Sequence, residues 1–166
     1  TVALSGMSLT GGELNTDGSG KFLVNSSIGN YLRNVTLNGA LDMATLGNSR
    51  QRVTDGMTLN GIIDLNSNAI LSFEGDNMLD GSGEIIFGDT GAGNRIDLSD
   101  TGTTTIGSDV TIRGQNGTIG QQVHFAGTQV LVNSGTINSD GAGTITLAES
   151  AVTNNGLLRA QNGTLT

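Results

Sequence analysis

Val35-Thr36-Leu37-Asn38-Gly39 and Met57-Thr58-Leu59-Asn60-Gly61 are one five-residue phrase written twice. Weaker copies stand at Met7-Ser8-Leu9-Thr10-Gly11, Asn77-Met78-Leu79-Asp80-Gly81 and Val110-Thr111-Ile112-Arg113-Gly114. Two more follow at Val130-Leu131-Val132-Asn133-Ser134 and Val152-Thr153-Asn154-Asn155-Gly156. From Gly11 through Gly39, Gly61, Gly81, Gly114 and Ser134 to Gly156, the fifth positions advance in steps of 28, 22, 20, 33, 20 and 22. A period in this range marks a solenoid, propeller or array. Apolar and Thr-rich runs alternate with Gly, Asn, Asp and Ser and show no helical spacing, so each repeat is a set of strands and turns.

The reading outward from this phrase is an all-β chain: a single-stranded, right-handed parallel β-helix (β-solenoid) of about seven coils, each of roughly 20–33 residues. The hand follows from the preference of parallel crossovers. Residues 1–166 form one segment with neither a linker nor a Pro. With strands stacked about 4.8 Å apart, seven coils rise roughly 34 Å. After the phrase each coil has a second strand, at Lys21 to Asn25, Ala69 to Phe73, Arg95 to Ser99, Thr144 to Ala148 and Thr164 onward. The two long steps, Gly11 to Gly39 and Gly81 to Gly114, assign extra loops to Ser26–Arg33 and to the 88–107 stretch, in Gly88–Asn94 and Ser99–Gly107.

Composition agrees. Aromatic residues are 3 % of the chain and Trp is absent, too few large fillers for an ordinary globular core but enough for a narrow column of Leu, Ile, Val and Ala. The 27 glycines suit many tight corners. A net charge of −8 disfavours nucleic acid and anionic membrane surfaces. No apolar run reaches the roughly 20 residues that a spanning helix needs. The absence of Cys removes disulfides and thiolate metal sites.

Little in the sequence points to catalysis, and the expectation is that the chain is not an enzyme. His124 is the single histidine, in a strand-like Gln122-Val123-His124-Phe125 whose alternation turns it to solvent. Lys21 and the arginines are scattered along the chain. No cofactor is expected. The candidates for calcium are Asp89, Asp97, Asp100 and Asp109, around the long insertion, because calcium takes several carboxylate and carbonyl oxygens. Gly91 to Leu98 loosely follows a calcium-binding nonapeptide, with Arg95 where the ligand Asp belongs.

The ends carry the functional expectation. Gly163-Thr164-Leu165-Thr166 followed by Thr1-Val2-Ala3-Leu4 reads as one strand, and the step from Gly156 to the next Gly11 is then 21. An uncapped solenoid end presents unpaired backbone groups and an open apolar column. Thr1, Val2, Ala3 and Leu4 are therefore expected to meet Thr164, Leu165 and Thr166 of a covalent continuation or an identical subunit, head to tail.

Gly141-Ala142-Gly143-Thr144-Ile145-Thr146-Leu147, Asn155-Gly156-Leu157-Leu158-Arg159-Ala160 and Asn162-Gly163-Thr164-Leu165-Thr166 resemble the passenger repeats of large bacterial surface proteins. These are the autotransporter-associated β-strand repeats and the filamentous-haemagglutinin-like giant adhesins. The resemblance implies export, an extracellular or cell-surface location, and a role as a structural unit of a fibre or giant surface protein. The alternative is an adhesin segment that binds a glycan, a protein or calcium through the 88–107 loop.

Overall fold

The computed structural model describes residues 1–166 and contains 21 β-strands and no helix. Every ladder is parallel, and the separation of partners in sequence varies, from Phe22 with Leu41 at the short extreme to Gly117 with Ile145 at the long one. Each coil thus pairs only with the coil below and the coil above, and the chain is a β-solenoid of seven complete turns plus the start of an eighth.

Each coil has three faces, where the sequence suggests two strands. The first face is an eight-stranded sheet running from Val2–Leu4 to Leu157–Ala160. The other sheet bends into a second face, from Ser8–Thr10 to Thr164–Leu165, and a third, from Glu13–Leu14 to Val152–Asn154. Tyr31–Leu37 and Arg50–Leu59 are single strands that turn the corner between these two faces. In four successive coils the turn is made by left-handed backbone: Asn34 (φ 50°), the pair Asp55 and Gly56 (φ 63° and 84°), Gly75 (φ 73°) and Asp100 (φ 66°). Asn, Asp and Gly are the residues that accept this conformation at least cost.

The interior is a set of axial rows. On the first face Val2, Phe22, Leu41, Ile63, Ile85, Ile112, Ile137 and Leu158 stand in register. The five from Leu41 to Ile137 are fully buried, whereas Val2 is 54 % exposed and Leu158 36 % exposed at the two ends. Outward on the same face, Asp42 accepts hydrogen bonds from Lys21 Nζ (3.0 Å), Thr45 Oγ1 (2.7 Å) and the N–H groups of Ala44 (2.9 Å) and Thr45 (2.8 Å). Burial alone would raise this carboxyl, but the four donors outweigh burial and hold it at about 2, below its ordinary 3.8.

The quoted phrase marks a real column, with corrected membership. Gly39, Gly61, Gly83, Val110, Gly135 and Gly156 stack at the corner between the third and first faces; the carbonyls of the first five accept a backbone hydrogen bond from the next coil, and Gly156 N–H donates to Asn133 in the coil below. Gly39, Gly61 and Gly156 are the positions expected; Gly81, Gly114 and Ser134 give way to Gly83, Val110 and Gly135. Ser8–Thr10 belongs to the second face and Thr111–Gly114 to the first, so those two copies of the phrase sit at other corners. Among the second strands, Phe22–Val24 lies on the first face, apart from Ile70–Glu74, Arg95–Ser99 and Thr144–Leu147 on the second. A three-sided coil has three corners built from the same residue types, and composition does not tell them apart.

Three further expectations change. Gly102–Ile106 is a strand of the third face, so Ser99–Gly107 is not one loop; extra length stands at Gly88–Asn94, as expected, where seven residues separate Glu84–Phe87 from Arg95–Ser99 against four (66–69) in the coil below, and also at residues 120–128, between Gly117–Ile119 and Gln129–Asn133. Gln122-Val123-His124-Phe125 is part of that loop and not a strand. The end strands Val2–Leu4 and Thr164–Leu165 occupy the first and second faces, and in a coil the second face is followed by the third. They are not successive pieces of one strand.

A Cβ added at Gly61 would fall inside the van der Waals envelope of the Gly39 carbonyl oxygen, backbone that cannot step aside without opening the ladder. Gly61→Ala is expected to destabilise by about 3 kcal/mol, against well under about 1 kcal/mol for Ser82→Ala at the exposed neighbouring position, measured by urea unfolding. Asp42→Asn is expected to lose about 2 kcal/mol at pH 7. A depressed carboxyl stabilises above its unfolded value and stops doing so as pH falls through its folded value. The gap between Asp42→Asn and the parent chain therefore closes from pH 4 down to pH 2 in denaturation curves.

Candidate functional site

The solenoid is elaborated sideways mainly on its second face, where the outward row Arg52, Ser72, Asp97 runs up three coils. Period-two alternation turns Arg52 and Asp97 out while Val53 and Leu98 fill the core. Arg52 binds both oxygens of Glu74 through Nε and Nη2, and its guanidinium lies between the rings of Tyr31 (4.2 Å) and Phe125 (4.9 Å). Both side chains of the pair are nine-tenths buried. A guanidinium is suited to this place because its edge pairs with a carboxylate while its faces stack on rings.

Phe125 reaches Arg52 because the 120–128 loop folds down along the axis. The N–H groups of Leu98 and Asp100 donate to the carbonyls of Gln121 (3.3 Å) and Phe125 (3.1 Å). The Gln122 side chain closes the loop by accepting from Gly127 N–H (2.8 Å) and donating to its carbonyl (2.6 Å). Asp97 pins it. This fully buried carboxylate accepts from Ser72 Oγ (2.5 Å), Ser99 Oγ (2.6 Å) and the Val123 N–H (2.7 Å), and His124 Nδ1 lies 3.2 Å from it. Glu149, half-buried nearby, is pushed up by burial and further by the charge of Asp97.

His124 is therefore packed against Asp97 and not turned to solvent; Val123 and Phe125 are the half-exposed residues of the loop. The hydroxyls of Ser72 and Ser99 point at the same carboxylate as the imidazole, an arrangement that holds a loop rather than one that activates a nucleophile. The arginines are not scattered in space: Arg33, Arg50, Arg52 and Arg95 share the outer side of the second face. Sequence reasoning missed this gathering. The available signal is alternation, Arg50-Gln51-Arg52 and Arg95-Ile96-Asp97, but neighbourhood between coils depends on a register that varies from coil to coil.

The four calcium candidates are distributed around the coil. Asp89 is exposed at the corner between first and second faces, Asp97 is buried in the second face, Asp100 caps Thr101 N–H (2.8 Å) at the next corner, and Asp109 is exposed ahead of the first-face strand Thr111–Gly114. No three His, Asp or Glu side chains converge on one point. Asn94, in the nonapeptide-like stretch, is a corner staple: its Oδ1 accepts from Asn68 N–H (2.9 Å) and its Nδ2 donates to the Thr90 carbonyl (2.9 Å). Beside it, Asp89, Gly91, Ala92, Asn116, Thr118 and Thr146 line a polar trough of about 430 Å³.

The expected end residues form open edges. Val2–Leu4 has one ladder partner, Phe22–Val24, and Thr164–Leu165 has one, Thr144–Leu147. At the upper end Leu157–Ala160 is likewise paired on one side only. Comparison with protein-family models, with curated proteins and with solved structures finds no match for this chain.

Replacing Asp97 by Ala removes the acceptor for four donors of the latch. The expected outcome is fast amide exchange and new protease cleavage confined to 120–128, with the ladder amides of the first face unchanged. Exchange measured by mass spectrometry after pepsin digestion reads both regions in one experiment.

Proposed function

We propose that this chain is an axial structural unit of an extracellular fibre or giant bacterial cell-surface protein, extended end to end by further solenoid. The observation that carries the reading is the pair of open ends: each presents a strand edge paired on one side only over an apolar column, with Val2 and Leu158, the two ends of one interior row, partly bare. Such an edge is a template for another strand of the same kind. The rest of the molecule suits mechanical use, since backbone ladders run unbroken along the axis from the first coil to the last.

The faces refine how a second copy would sit. Stacking keeps the interior rows of the first face continuous when Val2–Leu4 of one copy lies on Leu157–Ala160 of the copy before it, bringing Val2 over Leu158 and Leu4 over Ala160. Thr164–Thr166 then meets the second face of the next copy and not Thr1–Leu4. Because a third-face strand belongs between Thr164–Leu165 and the next first-face strand, direct joining of Thr166 to Thr1 does not fit the coil. Continuation within one polypeptide needs intervening residues to supply that strand.

A second reading is supported by the trough beside Asp89. Among its lining residues, Thr118, Thr144, Thr146 and Asn116 offer hydroxyl and amide partners for a sugar. This is the adhesin alternative, confined to the 88–94 end of the loop first considered.

Electron microscopy of the purified chain tests the structural reading. Thin filaments with an axial period of about 38 Å, eight strand spacings, are the expected result, and they should be lost when Val2 and Leu158 are both changed to Lys. Monodisperse particles of one unit at all concentrations would remove self-stacking. Binding of such particles to a glycan array, abolished by Asp89→Ala, would transfer the function to the trough.

A further inference from the structure

Arg50 and Arg95 flank Ile70 in one outward row of the second face, with Arg50 pairing to Ile70 from below and Arg95 from above. Ile70 points outward yet is only 6 % exposed. The register sets Arg50 one coil below it and Arg95 one coil above, so theirs are the long aliphatic stems in reach to cover it. Neither arginine has an acidic partner. Of the acidic residues in this part of the sheet, Glu74 is committed to Arg52, and Asp97 to Ser72, Ser99, Val123 and His124.

The remaining contacts fix the two groups without neutralising them. Arg50 Nη1 donates to the carbonyls of Ser49 (2.9 Å) and Asn68 (2.8 Å), and Arg95 Nη1 donates to Gln121 Oε1 (2.8 Å). Arg95 Nε is buried and has no hydrogen-bond partner. Burial first, and the charge of Arg95 second, lower the pKa of Arg50. Two coils separate the backbones by roughly 9.6 Å, a span that two arginine side chains close over one small ion.

We propose that Arg50 and Arg95 form an oxyanion site above Ile70, which takes a sulfate or phosphate group between the two guanidinium forks. Such a group supplies the paired acceptors that guanidinium N–H donors match, including the unpartnered Arg95 Nε, and removes the repulsion between the two cations. A planar carboxylate would satisfy one fork; a tetrahedral oxyanion has oxygens for both. The site is independent of end-to-end stacking, since the row lies on the side of the solenoid.

The probe is inorganic sulfate, compared with chloride at equal ionic strength. Equilibrium dialysis with labelled sulfate is expected to show one ion bound per chain, and none for Arg50→Gln or Arg95→Gln. Saturating sulfate should raise the melting temperature of the parent chain by about 2–4 °C more than that of either variant. Arg159→Gln, which removes an arginine from the first face, should behave like the parent. Arg95→Lys, which keeps the charge and loses the fork, should bind at least tenfold more weakly, and it serves if the glutamine variants do not fold. Equal sulfate effects on all chains, or no ion retained in dialysis, would overturn the site. Competition by a sulfated polysaccharide at a lower sulfate concentration than the free ion assigns the group to a polymer, and equal competition assigns it to the inorganic ion.

Discussion

No coil of this solenoid can hold its shape alone, because the partners of its backbone N–H and C=O groups lie in the coils above and below. Of the 99 backbone hydrogen bonds, 46 lie outside the strand ladders, and most of these also join one coil to the next, as Ile62 N–H to Gly39 and Glu84 N–H to Gly61 do. Corners are therefore tied as firmly as faces. Stability in such an array is a sum over neighbour contacts, and every other property depends on keeping successive coils in register.

Register in turn explains which residues are tolerated where. At Gly61, Gly83, Gly135 and Gly156, on the corner between third and first faces, glycine is needed because the carbonyl of the coil below fills the space a Cβ would take. Inside, rows such as Leu41, Ile63, Ile85, Ile112 and Ile137 let each branched side chain pack on its equivalent, which is how so few aromatics fill the core. Outside, the same stacking brings charges together in lines. Asp42 lies beside Asp64, and Asp64 is raised by burial and by that neighbour, with Lys21 opposing the rise.

The second face shows what this geometry permits beyond stiffness. A buried ion pair such as Arg52 with Glu74 repays its desolvation only when the geometry is good, and an apolar replacement is often as stable. Here the pair specifies position: with Tyr31 below and Phe125 above, it fixes where the long loop comes to rest, and Asp97 fixes the loop's near end. The trough at Asp89 and the arginine row at Arg50 and Arg95 flank this covered strip, so the outer chemistry of the molecule is concentrated on one side.

The amino-acid sequence by itself determined that this is a parallel β-solenoid of about seven turns, because a recurring five-residue phrase, a period of two within strands and Gly- and Asn-rich punctuation are all local in the chain. It also identified Gly39, Gly61 and Gly156 as corner glycines. The tertiary structure decided the number of faces, the register of the weaker repeats, the further long loop at residues 120–128, and the fate of His124. It also gathered Arg33, Arg50, Arg52 and Arg95 on one surface and dispersed Asp89, Asp97, Asp100 and Asp109 around the coil. The physical reason is the same in each case: turns of unequal length make neighbours of positions whose separation in sequence is not constant, and only the stacked backbone establishes which of them meet.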